Sequence, residues 1–202
     1  MEYCGLLNWT SDIPEGTRVV FENILELFRS KEEPKILEVG SFAGTSIATI
    51  KKILPHSICY SIDNWTLIED EFNECKKYME NNRVNTLADV RDFFFKNTQN
   101  NVILYEMDSA LALQTLNREG KTFDFIYVDG SHTAADTLVD IVLSWSILNS
   151  GGVLGIDDYM FIPHTDGMNN RPGAAVDYFL NKFSGQYIIL NKGYRIFLQK
   201  IN

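Results

Sequence analysis

"KILEVGSFAGTSIATIKKIL", residues 35–54, changes character in its middle. KILEV (35–39) is a short apolar run and reads as a buried strand, whereas TSIATIKKIL (45–54) carries its apolar residues at helical spacing. Between them, Gly40 and Gly44 let the backbone turn sharply and let a ligand approach closely, and the helix that follows opens with unpaired N–H groups. A strand, a glycine turn and a helix form the repeating unit of a parallel sheet, so the fold depends on whether the unit recurs.

It does recur. SICYSID (57–63) reads as a second strand and is followed by a polar helical stretch from about 68 to 97 with a turn near NNRVN. NVILYEM (101–107) is a strand, SALALQTL (109–116) a helix and FDFIYVD (123–129) a strand. Residues 134–148 form an apolar-faced helix that stops at NSGG, and GVLGID (152–157) is the fifth strand. GAAVDYFLNKF (173–183) is helical, and QYIILN and YRIFLQK close the chain as a hairpin around KG. Upstream, residues 14–30 place Val20, Ile24, Leu27 and Phe28 on one helical face, with Ser11 and Asp12 as caps. The expected fold is α/β: a Rossmann-like, doubly wound, mostly parallel seven-stranded sheet with helices on both faces and one antiparallel strand from the final hairpin. A single domain over 1–202 is expected, with an N-terminal helical segment at 1–34 and the core at 35–202.

Bulk properties narrow the function. The net charge is −9 and the 18 Lys and Arg form no basic block, which argues against nucleic acid as a partner. No apolar run reaches the length of a membrane span, and the N-terminus lacks the pattern of a secretory signal. Cys4, Cys59 and Cys75 are widely spaced and odd in number, which fits reduced thiols and a cytoplasmic location. The NWT triplets at Asn8 and Asn64 are then chance matches to a glycosylation signal.

An open parallel sheet binds ligands beyond the carboxyl ends of its strands. Here every parallel strand ends in an acid: Glu38 just before Gly40, then Asp63, Asp108, Asp129 and the pair Asp157–Asp158. Phe42 stands where a dinucleotide fingerprint needs its second glycine, which argues against NAD or FAD. Asp63 lies 23 residues after Gly40, where an acid binds ribose hydroxyls. Trp65 is placed either to stack on an adenine or to pack, and Asp108 and Ser109 to meet the adenine edge. These features describe a nucleoside site without a phosphate grip, a description that S-adenosylmethionine (SAM) meets.

ILEVGSFAGTS, SID, and FDFIYVDGSH followed by GGVLGIDDY resemble the class I SAM-dependent methyltransferases, and within them the metal-dependent O-methyltransferases of the catechol and macrocin type. The resemblance runs from about 35 to 160, and RPGAAVDYF is similar to a segment that follows the double acid in relatives. It implies a SAM site made by Glu38, Gly40, Ser41, Gly44, Ser46, Asp63, Asn64, Trp65, Asp108, Ser109 and Asp129. It further implies that Asp129, Asp157 and Asp158 hold a divalent cation such as Mg²⁺, a hard ion suited to carboxylates. With Asp129, His132 is the expected catalytic residue. It stands where catechol-type enzymes carry a lysine, so it is placed as base, substrate contact or fourth ligand. Tyr159 and His164 are expected at the acceptor pocket with His132, while His56 falls at the opposite edge of the sheet. Of the consecutive Phe93, Phe94 and Phe95, packing is the favoured reading over a lid or dimer contact.

The expected activity is methyl transfer to a hydroxyl of a small molecule, a sugar or glycosylated metabolite, with a homodimer allowed. Competing readings are a phenol or catechol acceptor, a metal-independent transferase in which His132 acts alone, and a non-catalytic SAM-binding subunit.

Overall fold

The computed structural model describes residues 15–66, 86–99, 101–161 and 170–201. Ser11, Asp12, Cys4, Cys75, Asn8, His164 and most of the expected 68–97 helical stretch lie outside them. The chain runs α1 (Glu15–Glu26), β1 (Lys35–Val39), α2 (Thr45–Ile53), β2 (Ile58–Ile62), α3 (Leu87–Thr98), β3 (Ile103–Tyr105), α4 (Ser109–Arg118), β4 (Phe123–Val128), α5 (Ala134–Ile147), β5 (Leu148–Ile156), α6 (Pro172–Lys182), β6 (Tyr187–Lys192) and β7 (Ile196–Lys200).

The strands form one seven-stranded sheet in the order β3-β2-β1-β4-β5-β7-β6. β1 to β5 pair in parallel, and β7 is antiparallel to both of its neighbours. Successive strand residues point to opposite faces, and the core divides accordingly. Leu37, Val39, Ile126 and Val128 meet Leu113, Ile141, Trp145 and Phe179 of α4, α5 and α6. Ile36, Phe125 and Tyr127 meet Leu25, Ile47, Ile50 and Phe94 of α1, α2 and α3. Helices therefore cover both faces, as a parallel sheet requires.

Three local expectations need correction. Leu27 is 54% exposed, because α1 ends at Glu26 and the chain turns; Leu25 fills the core in its place. β5 begins at Leu148 rather than after NSGG, since the strand continues through Gly151 at φ +76° with a register shift opposite Phe123–Phe125. β3 is only three residues long. Of the three consecutive phenylalanines, Phe94 is buried against Trp65, and Phe93 and Phe95 pack beside the same core.

The strand order runs outward in both directions from β1 and β4, so the ligand-binding crevice of such a sheet falls between their carboxyl ends. The two ends are in close contact. Asp129 N–H donates to the Val39 carbonyl at 2.8 Å, and Gly40, at φ +82°, has the Asp129 carbonyl oxygen 2.2 Å from where a Cβ would stand. Only glycine fits there.

Candidate active site

The β1–α2 turn is held by the acid at the end of β2. Asp63 accepts the Phe42 N–H at 2.7 Å on one oxygen and the Trp65 N–H at 2.6 Å on the other. Trp65 returns the contact, its indole N–H donating to the Phe42 carbonyl at 3.0 Å. This clasp keeps Phe42 and Trp65 at φ +45° and +48°, a region that L-residues rarely occupy. Phe42, standing where a dinucleotide site would use glycine, thus takes up a glycine-like backbone. Trp65 is buried edge-on to Phe94. Burial raises the Asp63 carboxyl, opposed by the N–H groups of Trp65, Phe42, Ser41 and Asn64.

Beneath this turn, Glu38 is fully buried. Ser46 donates a hydrogen bond to its Oε1, while Oε2 has no hydrogen-bond partner among the described residues. Burial pushes the Glu38 carboxyl up to about 7, with the Ser46 and Ser41 hydroxyls opposing. Ser41 itself bonds Ser61. At the next strand end, Asp108 caps α4 by accepting the Leu111 N–H at 3.1 Å, and Ser109 hydrogen-bonds the buried Asp140 of α5.

The β4 and β5 ends bring the remaining acids together. Asp157 is held at its strand end by its N–H to the Val128 carbonyl, 2.9 Å. Its Oδ1 accepts the Asp158 N–H at 2.8 Å, and its Oδ2 accepts both the Tyr127 hydroxyl and the Arg195 Nε–H, the latter at 2.8 Å. Asp158, at φ +56°, turns the other way and faces His132, with Oδ2 2.8 Å from Nε2. Burial and the charges of Asp157, Asp158 and Glu38 hold the Asp129 carboxyl well above the usual range. Burial and Asp158 likewise raise Asp157. Burial alone would raise Asp158 too, but the His132 hydrogen bond and charge bring it below its ordinary value. The site thus groups four acids with one guanidinium and one imidazole.

His132 lies between Ser131 and Thr133, and the Thr133 hydroxyl caps α5 by accepting the Asp136 N–H at 3.2 Å. The imidazole packs at a tilt against the Phe161 ring, centroids 5.0 Å apart. Tyr159 lies on the same side of the sheet end, its hydroxyl donating to Asp177 at 2.8 Å. Asn64 caps its own turn through Thr66. His56 precedes β2, at the opposite edge from these groups.

Nothing local in the sequence singles out Tyr127, Tyr194 or Arg195. β7 runs antiparallel beside β5 with Ile196 opposite Ile156, so its first residues arrive where β5 ends. The Tyr159 N–H donates to the Tyr194 carbonyl at 2.9 Å, which fixes the approach. The hairpin signal was visible; the register that carries Arg195 onto Asp157 was not.

Residues 37–159 match the family described as a methyltransferase domain. The chain belongs to this methyltransferase family. No curated protein matches it. Among solved structures, the methyltransferase MycE of the mycinamycin biosynthetic pathway, in complex with Mg and SAH, superimposes with a TM-score of 0.65 at 14% identity. It covers 100% of this chain and 56% of its own, so the chain spans about half the length of MycE. The O-methyltransferase TomG from Streptomyces achromogenes, in complex with SAM, gives a TM-score of 0.58 at 17% identity, covering 98% of this chain and 88% of its own. CalS11, a TDP-rhamnose 3'-O-methyltransferase of calicheamicin biosynthesis, gives 0.55 at 14% identity, covering 95% and 85%. These likenesses show that the methyltransferase's sheet order and two-sided helix layers are shared.

Proposed function

We propose that this methyltransferase moves a methyl group from SAM to a hydroxyl of a small molecule, a sugar or glycosylated metabolite, with a divalent cation held by Asp129, Asp157 and Asp158. The observation that carries the reading is the gathering of Glu38, Asp129, Asp157 and Asp158 at the β1/β4 crevice. Such a buried excess of negative charge is costly unless cations complete it.

The chemistry of the site suits both cations of the reading. Glu38 presents a buried oxygen with no hydrogen-bond partner among the described residues, beside the Gly40 turn that packs directly on the Asp129 backbone. That combination fits a close-lying ligand carrying positive charge, as SAM does at its sulfonium and ammonium. Three carboxylates suit a hard divalent ion. Among the described residues, however, no three His, Cys, Asp or Glu side chains stand ready as a shell, because Asp157 and Asp158 are turned to Arg195 and His132. The donor set fits the ion; the contacts would have to rearrange.

SAM when bound supplies an electrophilic methyl group, and the cation when bound lowers the pKa of a coordinated hydroxyl. The chain does the rest. Gly40, Ser41, Gly44 and Ser46 shape the turn that would face the cofactor, Asp63 and Asn64 would meet its ribose, and Asp108 and Ser109 its adenine edge. Trp65 supports the turn from below. His132 accepts the hydroxyl proton. Tyr159 and Phe161 flank the acceptor, where orientation of the attacking oxygen supplies much of the rate. The whole chain acts as one domain in this scheme, in the cytoplasm, with no nucleic-acid or membrane partner.

A second reading is favoured by the Arg195–Asp157 contact: a metal-independent transferase in which the guanidinium is the resident cation. The sugar preference is drawn from CalS11 and from the Asp157–Asp158 pair, and a phenolic acceptor is the alternative. Calorimetric titration with SAM tests the donor site. Saturable binding, weakened in Asp63→Ala, is expected; no heat of binding in the wild type would remove the reading.

A further inference from the structure

We infer that Arg195 is a resident competitor for the cation position, a guanidinium that neutralises Asp157 until a divalent ion displaces it. The inference rests on the proposed metal reading and adds what governs entry of the ion.

Asp157 is almost fully buried, and both of its oxygens are engaged. One takes the Asp158 N–H; the other takes the Tyr127 hydroxyl and the Arg195 Nε–H. A carboxylate offers about four lone-pair directions, so three are already filled. Arg195 is itself mostly buried, with its side chain 11% exposed, and its guanidinium has little water to share its charge. A guanidinium stays protonated in proteins whatever its surroundings. A divalent ion on Asp157 would therefore lie beside an obligate positive charge in a poorly solvated pocket, where like charges repel strongly. Ion and guanidinium cannot both be well bound. Arg195 stands just ahead of Ile196, outside the paired residues, so its release from Asp157 breaks no pairing of the β5–β7 ladder. The guanidinium thus offsets part of the metal-free centre's charge from within, and the ion is an exchangeable ligand rather than a folding element.

The test is Mn²⁺ titration of the full chain by calorimetry or electron paramagnetic resonance, comparing wild type with Arg195→Gln and Arg195→Lys. Lys192→Gln, whose ammonium lies 3.9 Å from Asp177, controls for general charge. SAM titration of each variant reports folding. Arg195→Gln should bind Mn²⁺ at least tenfold more tightly, Arg195→Lys should fall between, and Lys192→Gln should differ from wild type less than twofold. Unchanged or weaker Mn²⁺ binding in Arg195→Gln, with SAM binding intact, would overturn the competitor role and leave the metal reading standing. Absence of Mn²⁺ binding in the wild type and in both Arg195 variants would remove the metal reading itself.

Discussion

Asp158 and His132 meet at 2.8 Å, and Asp158 makes that contact from a left-handed backbone at φ +56°. A non-glycine residue in this region carries strain of roughly 1–3 kcal/mol, which surrounding contacts must hold in place. Here the strain turns two adjacent carboxylates apart: Asp157 faces Tyr127 and Arg195, and Asp158 faces the imidazole. The kinked pair therefore serves two different partners from consecutive positions.

If His132 takes the acceptor proton, its loss should affect turnover far more than donor binding. His132→Gln is expected to lower kcat by about 10²–10⁴-fold, the usual contribution of a positioned base. SAM affinity should stay within a few-fold of wild type. A titration of SAM alongside steady-state rates checks this, and a variant with full kcat would show that His132 merely packs on Phe161.

Gly40→Ala should be among the most damaging single changes. The new Cβ would stand 2.2 Å from the Asp129 carbonyl oxygen at a φ of +82°, combining a backbone clash with a disfavoured conformation. A loss of about 3 kcal/mol or more is expected, measured by urea unfolding. Ala at Gly120, where φ is +66° but nothing lies within 4 Å, should cost much less. Equal losses at the two sites would mean that the β1–β4 approach is looser than described.

Asp140 gives the stability a pH dependence. It is 2% exposed on α5, bonded to Ser109, and burial pushes its carboxyl from 3.8 up to about 7. The folded chain then holds the proton more tightly than the unfolded chain. Stability from this group is complete below about pH 4 and is lost as pH rises through 7. A shift of this size corresponds to roughly 4 kcal/mol. Asp140→Asn removes the ionisation, so the stability difference, wild type minus variant, should fall between pH 4 and pH 8. Denaturant melts across that range check it; a difference that rises with pH would reverse the assignment.

Much of this was legible from residue order. The strand–turn–helix rhythm is written in alternating periods, and an acid closing each parallel strand marks the ligand edge because strand ends share that edge by topology. Asp63, Asp129, Asp157 and Asp158 all stand just past the carboxyl ends of their strands. Asp63 nevertheless spends its oxygens on Phe42 and Trp65 N–H groups, a clasp that only three-dimensional proximity reveals. Tyr127 looks in sequence like one more core aromatic of β4, since nothing local announces that its hydroxyl reaches Asp157. Arg195 lies 38 residues from the acid it neutralises, and one residue of slip in the β5–β7 ladder would point it to the other face. Helical periodicity places Leu27 on the buried face but cannot say that α1 stops at Glu26.

The most direct measurement is transfer of labelled methyl from SAM to pools of glycosides, sugar nucleotides and phenols, with Mg²⁺ present and again after EDTA treatment. The account predicts label on a sugar-bearing hydroxyl compound, lost in EDTA, recovered with Mg²⁺, and absent in Asp129→Ala. Equal transfer in EDTA, or normal transfer by Asp129→Ala, would contradict it.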